Sequence, residues 1–264
     1  MRRRWPRARE AAPAMSDADR HQAAADYLLA ARGTRPGAPF PEALRPRSAE
    51  DAYAIQRLTL PALGRIGGWK VGAPGPDAPI SCAPMPEAGL HRSPAVLDGT
   101  AFSSREIESE IAFVIGHDLP PRGAPYHAAE LRAALASCHA GLEVLQSRFA
   151  EPDQVDGLSN LADLIRHGAY VLGDPIPGWE AIDFPRLRVR QVIAGEAMGC
   201  TGNPAGDMMR LMLWLANAGA VWAGGLRAGQ VVTCGSWTGK RAAPEGAAVS
   251  AHFAGAPEVS LRFG

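Results

Sequence analysis

Cysteine is scarce in this chain of 264 residues: Cys82, Cys138, Cys200 and Cys234 stand far apart, with no CxxC pair. That excludes a disulfide-stapled scaffold and a cysteine-built zinc site, and leaves buried thiols as expected in a reducing cytoplasm. Long apolar runs are also missing, since none approaches the roughly 20 residues that a membrane helix needs. Charge of one sign is not in excess: Lys+Arg and Asp+Glu each total 27, so no electrostatic footprint for nucleic acid or an anionic membrane is present. The seven histidines lack paired ligand spacing apart from His139 and Glu143 at i and i+4, a helical spacing in a stretch that reads as strand. No GxSxG elbow marks a serine hydrolase. These absences leave small-molecule chemistry as the better expectation.

The local grammar divides the chain into three parts. Residues 1–15 are basic, then Ala/Pro-rich without an apolar signal core, and read as a disordered leader, with Met15 as an alternative start. Residues 16–63 form a helical segment. Ser16 or Asp17 caps a first helix ending near Arg32 and Gly33, and Ser48 with Asp51 opens a second before Pro61. From residue 64 to 264 short strands punctuated by Gly and Pro predominate. They include residues 67–72, 106–115, 141–149, 169–172, 187–194, 231–234, 249–253 and 259–263. Residues 128–137 read as a helix, and 203–219 as a longer one with Pro204 in its first turn and Gly219 at its exit. The proline-rich stretch after Gly72, about 25 residues long, reads as a lid or binding loop. Many strands with few helices predict an α+β fold with a mixed, largely antiparallel β core rather than βαβ units.

The most informative stretch is Arg105-Glu106-Ile107-Glu108-Ser109-Glu110-Ile111-Ala112-Phe113. As a strand it places Glu106, Glu108 and Glu110 on one face and Ile107, Ile111 and Phe113 on the other. Three like charges on a core-facing side are expensive unless a cation neutralises them, so the pattern fits a hard divalent metal site or a solvated edge strand. Glu143, between Leu142 and Val144 on the next predicted strand, either faces solvent or joins the same site. An oxygen-only ligand set suits magnesium or manganese rather than zinc or copper. Lys70, between Trp69 and Val71, either snorkels to the surface or stands in a cavity, where an ammonium could stabilise an oxyanion and relay a proton. Gly235-Ser236-Trp237-Thr238-Gly239 could cradle a carboxylate through backbone amides and hydroxyls, or form an ordinary turn.

Taken in order, Gly68-Trp69-Lys70-Val71-Gly72, the Glu106 to Ala112 stretch, Gly141-Leu142-Glu143-Val144 with Ser147-Arg148, and Leu226-Arg227-Ala228-Gly229 leading to Gly235-Ser236 resemble the 2-keto-4-pentenoate hydratase group of the fumarylacetoacetate hydrolase superfamily. The resemblance runs from about residue 23 to the C-terminus. It implies a mixed β-roll catalytic domain over residues 64–264, with Glu108, Glu110 and Glu143 as ligands of Mg2+ or Mn2+ and Glu106 as an extra acid. It further implies that Lys70 and Glu87, the acid before Ala88-Gly89-Leu90, are catalytic, and that Gly235, Ser236 and Thr238 bind substrate. The implied reaction is hydration of a 2-hydroxy-2,4-dienoate to a 4-hydroxy-2-oxo acid by a cytoplasmic homo-oligomer. Decarboxylation of a 2-oxo-3-hexenedioate, acylpyruvate hydrolysis, or a non-catalytic partner subunit are the alternatives within the same resemblance.

Overall fold

The computed structural model describes residues 15–32 and 36–264. The leader expected over residues 1–15, Met15 apart, and the exit glycine Gly33 lie outside the described residues.

Helix α1 (Asp17–Ala30) is capped by the Ser16 hydroxyl, which accepts from Asp19 N at 3.2 Å. Helix α2 (Ala49–Leu63) is capped in the same way by Ser48 and Asp51 N at 3.2 Å. It runs past Pro61, where the sequence suggests a stop, because a proline in the last turn removes a single helical hydrogen bond, and Gly64 then ends the helix at φ 88°. Arg20 on α1, 2% exposed, bonds Asp51 on α2 at 2.9 Å and so ties the two together. Their apolar faces meet in a small core of Ala24, Leu28, Phe40, Ile55 and Phe149.

Strands β1 (Ile66–Gly72), β2 (Ser81–Pro86), β3 (Leu90–Arg92), β4 (Ala95–Leu97) and β5 (Glu106–Ile115) precede a short helix α3 (Ala128–Ala133) and the longest strand, β6 (Leu135–Leu145). Helix α4 (Gly157–Ala162), strands β7 (His167–Pro175), β8 (Arg188–Ile193) and β9 (Glu196–Thr201), helix α5 (Met208–Trp214), and strands β10 (Val231–Ser236), β11 (Arg241–Ala242), β12 (Ala248–Phe253) and β13 (Val259–Phe263) follow. A larger curled sheet has the order β2-β1-β10-β5-β6-β7-β3, with β11 pairing β5, and a smaller one has the order β4-β13-β12-β8-β9. Because β12 and β13 pack on β6 and β7, the outward face of β5 and β6 joins the main core through Ile107, Ile111, Phe113, Leu142 and Val144. The other face of β5 lines the interior of the curl. The mixed α+β roll follows from this double burial of the central strands.

Three local expectations are corrected. The helix expected over 128–137 stops at Ala133, and residues 135–140 extend β6, since pairing of Cys138 with Phe113 and of His139 with Ala112 outweighs local helix preference. The helix expected over 203–219 begins only at Met208, capped by Asp207, and ends in a π-helical turn, Leu215–Gly219. The Asn203 side chain instead accepts from Ala205 N at 2.9 Å and donates to the Cys234 carbonyl at 2.5 Å. The proline-rich loop contains strand β2, whose Pro84 and Pro86 are tolerated because β2 lies at the sheet edge.

Candidate metal centre

Antiparallel pairing of β5 with β6 sets Glu108 opposite Glu143 and Glu110 opposite Gly141. One carboxylate oxygen from each of Glu108, Glu110 and Glu143 lies within 4.8 Å of the others, the one such cluster among the described residues. Glu110 is 2% exposed and Glu143 is fully buried. Gly141 is required where it stands, since a Cβ there would lie 2.0 Å from the Tyr170 hydroxyl. The Thr233 hydroxyl on β10 donates a short hydrogen bond to Glu110.

Strand β1, parallel to β10, brings Lys70 into the same interior, and all three of its donors are used. Nζ donates to Glu143 Oε1 at 2.6 Å, to Oε2 at 2.7 Å and to the Ile165 carbonyl at 3.0 Å. His167 Nδ1 donates to Glu143 Oε1 at 3.1 Å. The three carboxylates are therefore not equivalent. Burial pushes the Glu110 carboxyl well above its ordinary value, and the charges of Glu143 and Glu108 push it the same way. Glu108 is raised by burial and then by Glu143. Glu143 is equally desolvated, but the Lys70 ammonium and the His167 hydrogen bond outweigh that and hold its carboxyl below the usual range. Burial lowers the His167 imidazole against the pull of Glu143.

The residues present fit a divalent cation. The donors are all carboxylate oxygens, and one ammonium answers three acids. Among the described residues, the buried His167 Nε2 and the Tyr170 hydroxyl have no hydrogen-bond partner. A dication held by Glu108, Glu110 and Glu143 would offset the mutual repulsion that adds to burial in raising two of them.

The other residues singled out from the sequence are dispersed. Ser236 pairs with Glu110 across β10 and β5, and its buried hydroxyl has no hydrogen-bond partner among the described residues. Gly235 takes φ 74°, a conformation that glycine adopts freely, within reach of the Asn203 amide. The Thr238 hydroxyl accepts from Ser109 N at 3.0 Å and so holds β5 rather than facing the carboxylates. Glu106 meets Lys240 at 3.6 Å. Glu87 is exposed, 3.5 Å from Arg65, and lines a cavity of about 600 Å3 with Arg227, Gln230 and Tyr170. Among the described residues no contact joins it to Lys70 or to the carboxylates. Sequence reasoning overlooked Thr233, Ile165 and His167. Thr233 carries a faint signal, being the polar residue in an apolar run, whereas His167 and the Ile165 carbonyl carry none.

No family model matches the chain. It is 26% identical over 272 residues to the 2-keto-4-pentenoate hydratase of Paraburkholderia xenovorans, with 94% of this chain and 96% of that protein covered. It is 28% identical over 267 residues to the 2-keto-4-pentenoate hydratase of Paraburkholderia phymatum, at 94% and 99% coverage. Its fold matches 4-oxalocrotonate decarboxylase from Pseudomonas putida, complexed with magnesium and adipate, with a TM-score of 0.81 at 22% identity over 95% of this chain and all of that one. A more distant match is fumarylpyruvate hydrolase from Pseudomonas aeruginosa with Mn2+ and pyruvate, with a TM-score of 0.51 at 16% identity, covering 74% of this chain and 88% of that one. The chain is an enzyme, a homologue of proteins named 2-keto-4-pentenoate hydratase with the fold of the fumarylacetoacetate hydrolase superfamily.

Proposed function

We propose that this enzyme is a divalent-metal-dependent hydratase of 2-hydroxy-2,4-dienoates. The observation that carries the reading is the convergence of Glu108, Glu110 and Glu143, with Lys70 locked onto Glu143, in a chain whose relatives over 94% of its length are named 2-keto-4-pentenoate hydratase. For the five-carbon substrate, the C2 hydroxyl proton is lost and C5 gains one, giving 2-oxo-3-pentenoate. Water then adds its oxygen at C4 and its hydrogen at C3, giving 4-hydroxy-2-oxopentanoate.

Glu108, Glu110 and Glu143 would hold Mg2+ or Mn2+, which supplies Lewis-acid polarisation of the substrate's carboxylate and C2 oxygen. Lys70 Nζ stands at the one place in the cluster where an ammonium touches a carboxylate on both oxygens, so it can give a proton and recover it without crossing bulk water. Its charge also favours an anionic oxygen beside it. The Thr233 hydroxyl orients Glu110. Glu87, engaged with Arg65, is left outside this relay.

The rim favours an uncharged tail over a second carboxylate. Two residues along the same strand face from Glu108, Glu106 already meets Lys240, which also pairs with Asp153; Asp153 in turn takes Arg166 at 3.0 Å. These neighbouring cations are thus occupied by the protein's own acids. Supplying 2-hydroxypenta-2,4-dienoate and 2-oxo-3-hexenedioate side by side tests the assignment. Hydration of the first without carbon dioxide from the second is expected, and carbon dioxide release as the dominant reaction would overturn it.

A further inference from the structure

The carbonyl that receives the third proton of Lys70 belongs to an unusual turn. Leu164, Ile165 and Arg166 have φ of 52°, 51° and 59°, three successive left-handed residues without a glycine, and one of them is β-branched. Each conformation is sterically disfavoured for a side chain bearing a Cβ, so the surroundings must impose it. Asp163 precedes the turn and His167 follows it, and Arg148 grips both. Arg148 Nε donates a short bond to Asp163 Oδ1, Nη2 donates to the Asp163 carbonyl at 2.8 Å, and Nη1 donates to the His167 carbonyl at 3.0 Å. The Asp163 Oδ2 oxygen accepts from Arg148 N at 2.9 Å and from the Ser147 hydroxyl at 3.1 Å. Arg148 and Asp163 are 3% and 1% exposed.

Both products of the turn end on one carboxylate. The Ile165 carbonyl holds Lys70 against Glu143, and His167 donates to Glu143 directly. A turn needed only to reverse the chain would be met more simply by glycine or asparagine. We propose that Arg148 and Asp163 are positioning residues for the reaction: by closing the left-handed turn they fix the lysine and the histidine on Glu143. The inference rests on the hydratase reading, in which Lys70 moves the substrate's protons.

Asp163→Asn keeps the shape and removes the charge that organises the clamp. Amide hydrogen exchange at residues 164–168 should accelerate at least tenfold, with the rest of the sheet unchanged. With 2-hydroxypenta-2,4-dienoate, kcat should fall about 100-fold, as expected when a reacting group is misplaced by about 1 Å, while KM and Mn2+ affinity move less than about threefold. Adding Ile165→Gly, which takes up the left-handed conformation freely, should recover at least about tenfold in kcat. A purely structural or electrostatic role for Asp163 would not be rescued in this way. Should Asp163→Asn fail to fold, Arg148→Lys, which keeps the charge but loses the fork, is the milder variant, with an expected loss of about tenfold. Wild-type kcat in a folded clamp variant, or no recovery with Ile165→Gly, overturns the proposal. A wild-type protein that binds Mn2+ but leaves the dienoate unchanged defeats the hydratase reading instead; the exchange measurement then decides the clamp, and unaltered protection of the turn overturns it.

Discussion

Lys70→Met keeps the unbranched stem and removes the ammonium. The variant leaves Glu143, fully buried, without its cation and three carboxylates within 4.8 Å of one another. Removing one partner of a buried pair costs about 3–5 kcal/mol, and protonation of the cluster offsets part of that, so a net loss of about 3 kcal/mol is expected. At about 2–4 °C per kcal/mol for a chain of this size, the melting temperature in chelator should fall by about 9 °C. The response to metal should move the other way. In the native protein the ammonium sits 2.6 Å from an oxygen that a dication would also use, so it opposes metal entry. Two unit charges about 4 Å apart at an effective dielectric of 20 interact by about 4 kcal/mol; even a third of that makes Mn2+ bind about tenfold more tightly to the variant. Turnover should nevertheless be lost. Calorimetric melting in chelator and in Mn2+, with titration of Mn2+ into both proteins, reads all three effects. A variant that melts within about 2 °C of the native protein in chelator, or that binds Mn2+ more weakly than it, would refute the reasoning.

Other substitutions test the rest of the centre. Glu110→Gln removes a carboxylate whose ionisation is opposed by burial and then by Glu143 and Glu108, so the chelated protein should gain about 1 kcal/mol while losing most of its thermal response to Mn2+; a destabilised chelated variant would contradict this. Gly141→Ala drives a methyl into the Tyr170 hydroxyl, and should lower stability by about 2–3 kcal/mol in denaturant unfolding; an unchanged midpoint would show that the ring moves aside freely. Asp51 tests the helical segment. Burial opposes its ionisation, but hydrogen bonds from Arg47 N, His21 and Arg20 lower its pKa from 3.8 to about 2. A depressed carboxyl stabilises the fold above its unfolded value and loses that contribution as pH falls from about 4 to 2, which corresponds to about 2 kcal/mol. The difference in unfolding free energy between native protein and Asp51→Asn should shrink by that amount between pH 5 and 2, and a pH-independent difference would count against the assignment.

Much of the centre was legible because strand alternation is a strict rule. Once Glu108 and Glu110 share a face with Ile107 and Ile111 opposite, a carboxylate on the next strand can join them, and the register of Glu143 against Glu108 realises that possibility. The α+β roll was legible from the same alternation and from glycine and proline punctuation. What stayed hidden depends on long-range pairing. The helix expected at 135–137 yielded to the ladder between β5 and β6, and the start of the helix at 203 yielded when Asn203 bonded the Cys234 carbonyl. Thr238 looked like a donor for substrate, but its hydroxyl serves Ser109 on the far face of β5. The contribution of Ile165 was unreadable in principle, because a backbone carbonyl has no residue-specific signature and nothing in Leu164-Ile165-Arg166 suggests a left-handed turn. Glu87 shows the limit of a local motif: it meets Arg65 and lines a cavity whose lining includes neither Lys70 nor the three carboxylates.

The most direct test of the central claim is the ultraviolet absorbance of 2-hydroxypenta-2,4-dienoate mixed with the purified protein, with Mg2+ and with chelator, coupled to identification of the product. Loss of the dienol band only when Mg2+ is present, with 4-hydroxy-2-oxopentanoate appearing in step and Glu108→Gln inactive, is the predicted result. A band that disappears equally in chelator, or a Glu108→Gln variant with full activity, would contradict the assignment of this carboxylate cluster as the centre of the reaction.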